Sequence, residues 1–268
     1  MKKVLTVAGS DCSGGAGIQA DLKTFAAHGV YGMSVIVSVV AENTCRVIGI
    51  QDISPEMIEK QMDAVFEDIE VDAVKIGMLS GVEGMEAVSG KLKQYRPGKV
   101  VIDPVMLAKG GHALMRESAL EFFKRELIPL AYLLTPNIPE AEAITGRTLS
   151  EEKDYMEAAQ YIYSMGAKNV LIKGGHREGE AKDILFDGET FFSFGARRIN
   201  TKNTHGTGCT LSSAIAANLA NGNKIGDAVQ KAKDYVTMAI EHSLEIGKGH
   251  GPTNHFYSLY KYGLIKNK

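Results

Sequence analysis

Apolar positions fall in short blocks along the chain, and the spacing inside the blocks alternates between two periods. Residues 4–8 form a nearly continuous apolar run of strand length, the pattern of a strand covered on both faces. Over residues 16–28 the period becomes helical, with Ile18, Leu22, Phe25 and Ala26 sharing one face. Residues 34–40 are rich in β-branched side chains, and residues 47–53 alternate and are placed to pair beside them. Ser54-Pro55-Glu56-Met57 is a helix start, Ser as cap and Pro at the first helical position, and predicts a helix to about Ile69. Strands at residues 73–76, 100–102, 132–134 and 170–173 each precede a helix-like segment. Residues 184–186 and 190–194 flank Asp187-Gly188-Glu189 and read as an antiparallel hairpin, followed by helices over residues 208–220 and 225–243. Strand and helix alternating over the whole length predict an α/β fold with a mostly parallel sheet. Neither a Pro-, Ser- or charge-rich linker nor a fixed-period repeat divides the pattern, so residues 1–268 are read as one domain.

Composition narrows the function. With 44% hydrophobic and 23% charged residues and a net charge of −2, the chain has the make-up of an ordinary globular protein, against disorder and against strong nucleic-acid binding. The longest apolar stretch, residues 30–41, is interrupted by Gly32, Ser34 and Ser38 and is too short to cross a bilayer. Met1-Lys2-Lys3 runs straight into a strand and polar glycines rather than into the apolar region of a signal peptide, so a cytoplasmic protein without a membrane partner is expected. Cys12, Cys45 and Cys209 are an odd number at wide spacing, which fits neither a disulfide framework nor a C-x-x-C pair, and no two histidines stand at H-x-x-x-H spacing. Glycine, at 29 residues, is the abundant type, and its clustering suggests backbone approaching a ligand.

Four constellations carry candidate chemistry. Gly9-Ser10-Asp11-Cys12-Ser13-Gly14-Gly15-Ala16-Gly17 follows the first strand and opens a helix, where ligands bind in α/β sheets. It is not G-x-G-x-x-G, and the chain has no G-x-x-x-x-G-K-[ST]; a turn that merely needs glycine is the plain alternative. In Asn203-Thr204-His205-Gly206-Thr207-Gly208-Cys209-Thr210, the backbone N–H groups of Gly206, Thr207 and Gly208 would form a positive cradle for a phosphate at a helix start. The buried face of that helix is expected to carry Leu211, Ala214, Ile215 and Leu219. Cys209 lies on the first turn, a position that lowers a thiol's pKa toward neutrality and suits a general base. Asp103-Pro104 and Thr135-Pro136-Asn137-Ile138-Pro139-Glu140 place carboxylates at the same rim, hard oxygen ligands suited to Mg²⁺, although Glu140 equally suits a helix N-terminus. Lys173-Gly174-Gly175-His176 ends another strand, and Lys173 either neutralises a phosphate or reaches from the surface to water.

Taken in order and spacing, GSDCSGGAGIQADLKTF, VAENTC, KIGML, IDPVMLAKGG, TPNIPEAE, KGGH and NTKNTHGTGCT resemble the hydroxymethylpyrimidine/phosphomethylpyrimidine kinases of thiamine biosynthesis, within the ribokinase-like superfamily. The resemblance runs from Val4 to Phe256. It implies a single-domain, three-layer αβα sandwich, usually a homodimer, that uses ATP and Mg²⁺. Such an enzyme phosphorylates 4-amino-5-hydroxymethyl-2-methylpyrimidine and then the monophosphate. It further implies that Gly206, Thr207 and Gly208 are the anion hole and Cys209 the catalytic base, with Gly9, Asp21, Glu42, Met78 and Val105 lining the pyrimidine. Asn137, Lys173 and Thr204 would surround the nucleotide phosphates, Asp103 and Glu140 the Mg²⁺, and residues 107–115, with Lys109, Gly110 and Gly111, would be a flap.

Glu42 stands where many relatives carry Gln. A carboxylate only accepts, so it would serve an aminopyrimidine edge if the ring nitrogen or Glu42 itself held a proton. A kinase for pyridoxal-type alcohols is the neighbouring alternative. From other classes, a thiol hydrolase would use Cys209 with His205 as its base, and a heterocycle carrier would bind without turnover.

Overall fold

A computed structural model describes residues 1–107, 114–175 and 181–263. Its centre is a 9-stranded sheet in the order β3-β2-β1-β4-β5-β6-β7-β8-β9. The strands are β1 (Lys3–Asp11), β2 (Tyr31–Glu42), β3 (Val47–Asp52), β4 (Ala73–Ile76), β5 (Val100–Ile102), β6 (Leu133–Leu134), β7 (Val170–Ile172), β8 (Asp183–Phe186) and β9 (Phe191–Phe194). From β2 to β7 the neighbours are parallel, while β3 and the β8–β9 hairpin are antiparallel additions at the two edges.

Successive residues of the central strands point to opposite faces, and both faces are covered. Val74 and Ile76, Val100 and Ile102, Leu134, and Val170 and Ile172 join one core with α2 (Pro55–Phe66), α3 (Val82–Tyr95), α5 (Ile138–Thr145) and α6 (Glu152–Ser164). The same core takes in Phe123 and Leu127, which follow the short α4 (Leu120–Phe122). Ala73, Val101, Leu133 and Leu171 join the other core, with α1 (Gly17–Ala27), α7 (Thr207–Ala220) and α8 (Ile225–Glu241). The short α9 (Tyr257–Tyr262) lies near the end of the described chain. The fold is therefore the expected three-layer αβα sandwich.

Three expectations shift. β1 continues past residue 8 to Asp11, because β2 offers partners through Val40 after a register irregularity between Ala8 and Gly9. On α1, Ala26 is exposed, and the buried face carries Ile18, Asp21, Thr24 and Phe25. In α7 every residue from Thr210 to Ala220 is buried, so the helix is central to its layer rather than amphipathic. The α2 start is as expected: Ser54 caps the Met57 N–H and Pro55 follows.

Candidate active site

β1 overruns its neighbour β4, whose last paired residue, Ile76, sits opposite Val7. The four residues beyond Val7 lift the first glycine loop over the C-terminal rim of the sheet, and Asp11 organises that loop. Its carboxylate accepts the N–H groups of Ser13 (2.7 Å), Gly15 (2.9 Å) and Ala16 (2.7 Å), and lies 2.8 Å from His205 Nε2. Burial alone would raise this acid; His205 and the loop donors outweigh it and hold the carboxyl well below the usual carboxylate range. Gly206, with φ +77°, presses against the Gly15 carbonyl so closely that no side chain fits there. Asp11 and Gly206 thus fasten the two glycine loops to each other.

Gly206 is the N-cap of α7, and Thr207 and Gly208 form its first turn. A Cβ on Gly208 would meet Asp103 Oδ2 at 3.5 Å and Lys173 Nζ at 3.6 Å, so the helix start opens onto that ion pair. Lys173 Nζ donates to Asp103 Oδ1 at 2.6 Å, and Thr135 and Ser212 hydroxyls donate to the same carboxylate. Burial pulls the Lys173 ammonium down, but Asp103 and Glu140 outweigh it and keep the charge on. Lys173 is therefore a positioned cation, not a side chain reaching for water.

Asn137 and Glu140 form a capping box at the start of α5, Asn137 Oδ1 accepting Glu140 N–H at 2.9 Å and Glu140 Oε2 accepting Asn137 N–H at 2.8 Å. Burial raises the Glu140 carboxyl to about 7, against Lys173 and with Asp103. Both expected metal carboxylates are thus already engaged, Asp103 by Lys173, Thr135 and Ser212, and Glu140 by its cap. As direct ligands they fit Mg²⁺ poorly. Their chemistry suits a hydrated Mg²⁺ carried on nucleotide phosphates, which keeps most of its waters.

Cys209 departs from its expected state. Burial pushes the thiol up to about 11 despite the helix start, with Lys75 and the Gly17 N–H acting to lower it and Asp21 and Asp103 acting to raise it. The helix-terminus argument counted the dipole and omitted desolvation, which is the larger effect here. Asp21 also departs: it has no exposed surface and does not offer a free carboxylate to a pyrimidine. It accepts from Thr6 (2.6 Å), Ser213 (2.6 Å) and both ways from Lys75 (2.9 Å).

The other expected lining residues sit nearer one another. A Cβ on Gly9 would fall 3.0 Å from the Met78 methyl and 2.7 Å from Ser38 Oγ, so this glycine allows a close approach of backbone and side chains. Val105 follows Asp103, to whose carbonyl its N–H is bonded at 2.8 Å. Glu42, half-buried at the end of β2, converges with Asp11 and His205 within 4.8 Å. Burial raises the Glu42 carboxyl to about 7, and the neighbouring Asp11 adds to it. Thr204 lies in the loop before Gly206, its N–H bonded to Lys202 O. Of the expected flap, Lys109, Gly110 and Gly111 lie outside the described residues, as does His176. The flap base is held by Leu114 N–H on Met106 O at 2.8 Å. His205 turns Nε2 to Asp11, which takes support from the hydrolase reading in which it served Cys209.

Asp11, Lys75 and Ser212 were given no role from sequence, and His205 only that of a hydrolase base. Lys75 had a signal: it is a charged residue in the four-residue strand Ala73–Ile76, all of it buried.

A family model described as phosphomethylpyrimidine kinase matches residues 11–254. The hydroxymethylpyrimidine/phosphomethylpyrimidine kinase of Bacillus subtilis is 48% identical over 256 residues, covering 95% of this chain and 94% of that protein. The thiamine biosynthesis bifunctional protein ThiED of Geobacter sulfurreducens is 53% identical over 253 residues, covering 94% of this chain, which spans only 52% of that longer protein. Among solved structures, an ADP complex of Bacillus subtilis pyridoxal kinase superposes with a TM-score of 0.89 at 40% identity, covering 96% of this chain and 98% of the other.

Proposed function

Because this chain belongs to the phosphomethylpyrimidine kinase family, we propose that it transfers the γ-phosphoryl group of ATP to the 5-hydroxymethyl oxygen of 4-amino-5-hydroxymethyl-2-methylpyrimidine, and then to the resulting monophosphate. The observation that carries this reading is the first turn of α7 opening onto the Lys173–Asp103 pair. Phosphoryl transfer asks a protein mainly to position the reactants and to neutralise charge on the transferring group. The N–H groups of Gly206, Thr207 and Gly208 would supply donors at the helix start, that of Thr207 on giving up its long 3.5 Å bond to Thr204 O, and Lys173 adds a fixed positive charge beside them. Cys209 follows directly and, once its own proton has left to solvent, the thiolate would take the alcohol's proton while the new O–P bond forms and the bond to the leaving diphosphate breaks. Mg²⁺, when bound with ATP, would screen the phosphate oxygens from Asp103 and Glu140, which would hold it through its waters.

Pyridoxal-type alcohols are a second substrate class, supported by the fit to a pyridoxal kinase over nearly the whole chain. A homodimer suits the β2–β3 end of the sheet, where Tyr31, Val39 and Ile48 are exposed. Among the described residues, no helix is long and apolar enough to cross a membrane. The test is ADP release with ATP and Mg²⁺, offered the pyrimidine alcohol, its monophosphate and pyridoxal in turn. Turnover of the first two supports the proposal. ADP release with pyridoxal alone, or with none of them, would overturn it.

A further inference from the structure

β4 is buried on both faces, and its side chains alternate between the two cores. Val74 and Ile76 enter the layer of α2 and α3, so Lys75 between them points to the layer of α1 and α7. Its ammonium has no exposed surface and donates to both carboxylate oxygens of Asp21 on α1, at 2.9 Å each. Asp21 is completed by Thr6 of β1 and by Ser213 of α7. Ser213 stands four residues after Cys209, one helical turn along the same face. Gly77 keeps the place open, since a Cβ there would lie 2.8 Å from Lys75 Nζ.

A sealed ion pair is a poor stabiliser. Removing each charge from water costs several kcal/mol, and well-packed apolar replacements are often as stable or more so. Lys75 and Asp21 touch no open surface, so direct contact with a ligand does not explain them either. What they do meet is α7, through Ser213 one turn after Cys209. We propose that Lys75 is a positioning residue of the transfer reaction, its buried ammonium serving as counter-charge to the Cys209 thiolate, with Asp21 restraining that effect.

The groups facing the thiol come from every element packed on that side of α7. They are Lys75 from β4, Asp21 and the Gly17 N–H from α1, Asp103 after β5, and Lys173 after β7. α8 meets α7 through apolar residues such as Ala228, Val229 and Ala232. Of the two cations, Lys173 is bound to Asp103 at the open side, whereas Lys75 sits beneath the helix. In the ligand-free protein burial prevails over Lys75, with Asp21 and Asp103 adding to it, and the thiol keeps its proton. Once that proton has left to solvent, the thiolate can take one from the acceptor alcohol, and Lys75 is the charge that stabilises it meanwhile.

The proposal gains its catalytic meaning from the kinase reading, but its test needs no substrate. The rate of iodoacetamide alkylation at Cys209 is followed against pH by peptide-resolved mass spectrometry, which separates it from the exposed Cys12 and Cys45. Lys75→Met should slow Cys209 alkylation at fixed alkaline pH by about tenfold or more, one pKa unit being a tenfold change in thiolate. Asp21→Asn should accelerate it by a comparable factor. The double variant Lys75→Met/Asp21→Asn removes both charges without leaving either unpaired, and should return close to the parent profile; it also serves if Lys75→Met alone fails to fold. Shifts of the same sign in the two single variants, a folded Asp21→Asn protein with an unchanged profile, or a double variant far from the parent would overturn the proposal. A kinase assay failing while these opposite shifts persist would instead count against the functional reading.

Discussion

Two lysine–aspartate pairs flank the first turn of α7, and they differ in what they can reach. Lys173–Asp103 lies at the rim, with 13% of the lysine side chain exposed and the Gly208 face turned toward it. Lys75–Asp21 lies beneath, with 0% of either side chain exposed. The chemistry of the pairs is the same, but in the proposed reaction one would work by contact and the other only through its field. In a buried site the position of a charge relative to the opening decides whether it binds or tunes.

The rim pair gives the largest expected effect. Lys173→Met leaves Asp103 as an uncompensated buried charge, which should cost roughly 3–5 kcal/mol of stability, and removes the cation beside the transferring group. Single-turnover rates should fall on the order of 10²- to 10³-fold, the scale of losing one preorganised electrostatic partner. Lys173→Met/Asp103→Asn should regain most of the stability in urea unfolding and none of the rate. Recovery of both would mean that the rim pair is a structural feature like any other.

A smaller perturbation probes the space between that pair and the helix. A Cβ at Gly208 makes only ordinary contacts, so Gly208→Ala should fold normally, whereas the branched Gly208→Val enters the gap beside Asp103 and Lys173. kcat for Gly208→Val is expected to drop by something like 10²-fold, with KM less affected. Near-parental kcat in a folded Gly208→Val protein would move the anion hole away from this loop.

Glu42 and Asp11 offer the contrasting case, two acids facing each other, with His205 on Asp11. The loop N–H groups and His205 keep Asp11 ionised, so Glu42 is the one that holds a proton, to about pH 7. Below that pH Glu42 offers a donor as well as an acceptor, and above it only acceptors. Affinity for the pyrimidine should therefore fall as pH rises through 7, by about tenfold, the scale of one hydrogen bond. Glu42→Gln, with its permanent donor, should flatten the profile. Superimposable profiles of substrate affinity in the two proteins would place Glu42 outside the ring's reach.

The fold was legible because burial on both faces of a parallel sheet writes apolar blocks at strand spacing, as in Val100–Ile102 and Val170–Ile172. The two glycine loops were legible for a similar reason, since Gly206 must take a positive φ and lie against Gly15. What escaped were relations between distant residues. That Asp11 would reach His205 across 194 positions, or that Asp21 would be spent on Lys75 rather than on a ligand, depends on where strands and helices meet. The thiol's state escaped too, because sequence places Cys209 at a helix start but does not give the desolvation that outweighs the dipole there.

The measurement that bears most directly on Cys209 as the base between these two pairs is single turnover of Cys209→Ala on both acceptors. The alcohol must lose a proton as the O–P bond forms, and general base assistance is worth about 10²- to 10⁴-fold. The monophosphate attacks through an oxygen already ionised at neutral pH and needs only alignment and charge screening. Phosphorylation of the alcohol should therefore collapse in Cys209→Ala while that of the monophosphate is largely kept, and the rise in rate with pH that reports deprotonation of the thiol should vanish from the first reaction alone. Equal losses on the two acceptors would contradict the account and reduce Cys209 to a packing element of the helix start.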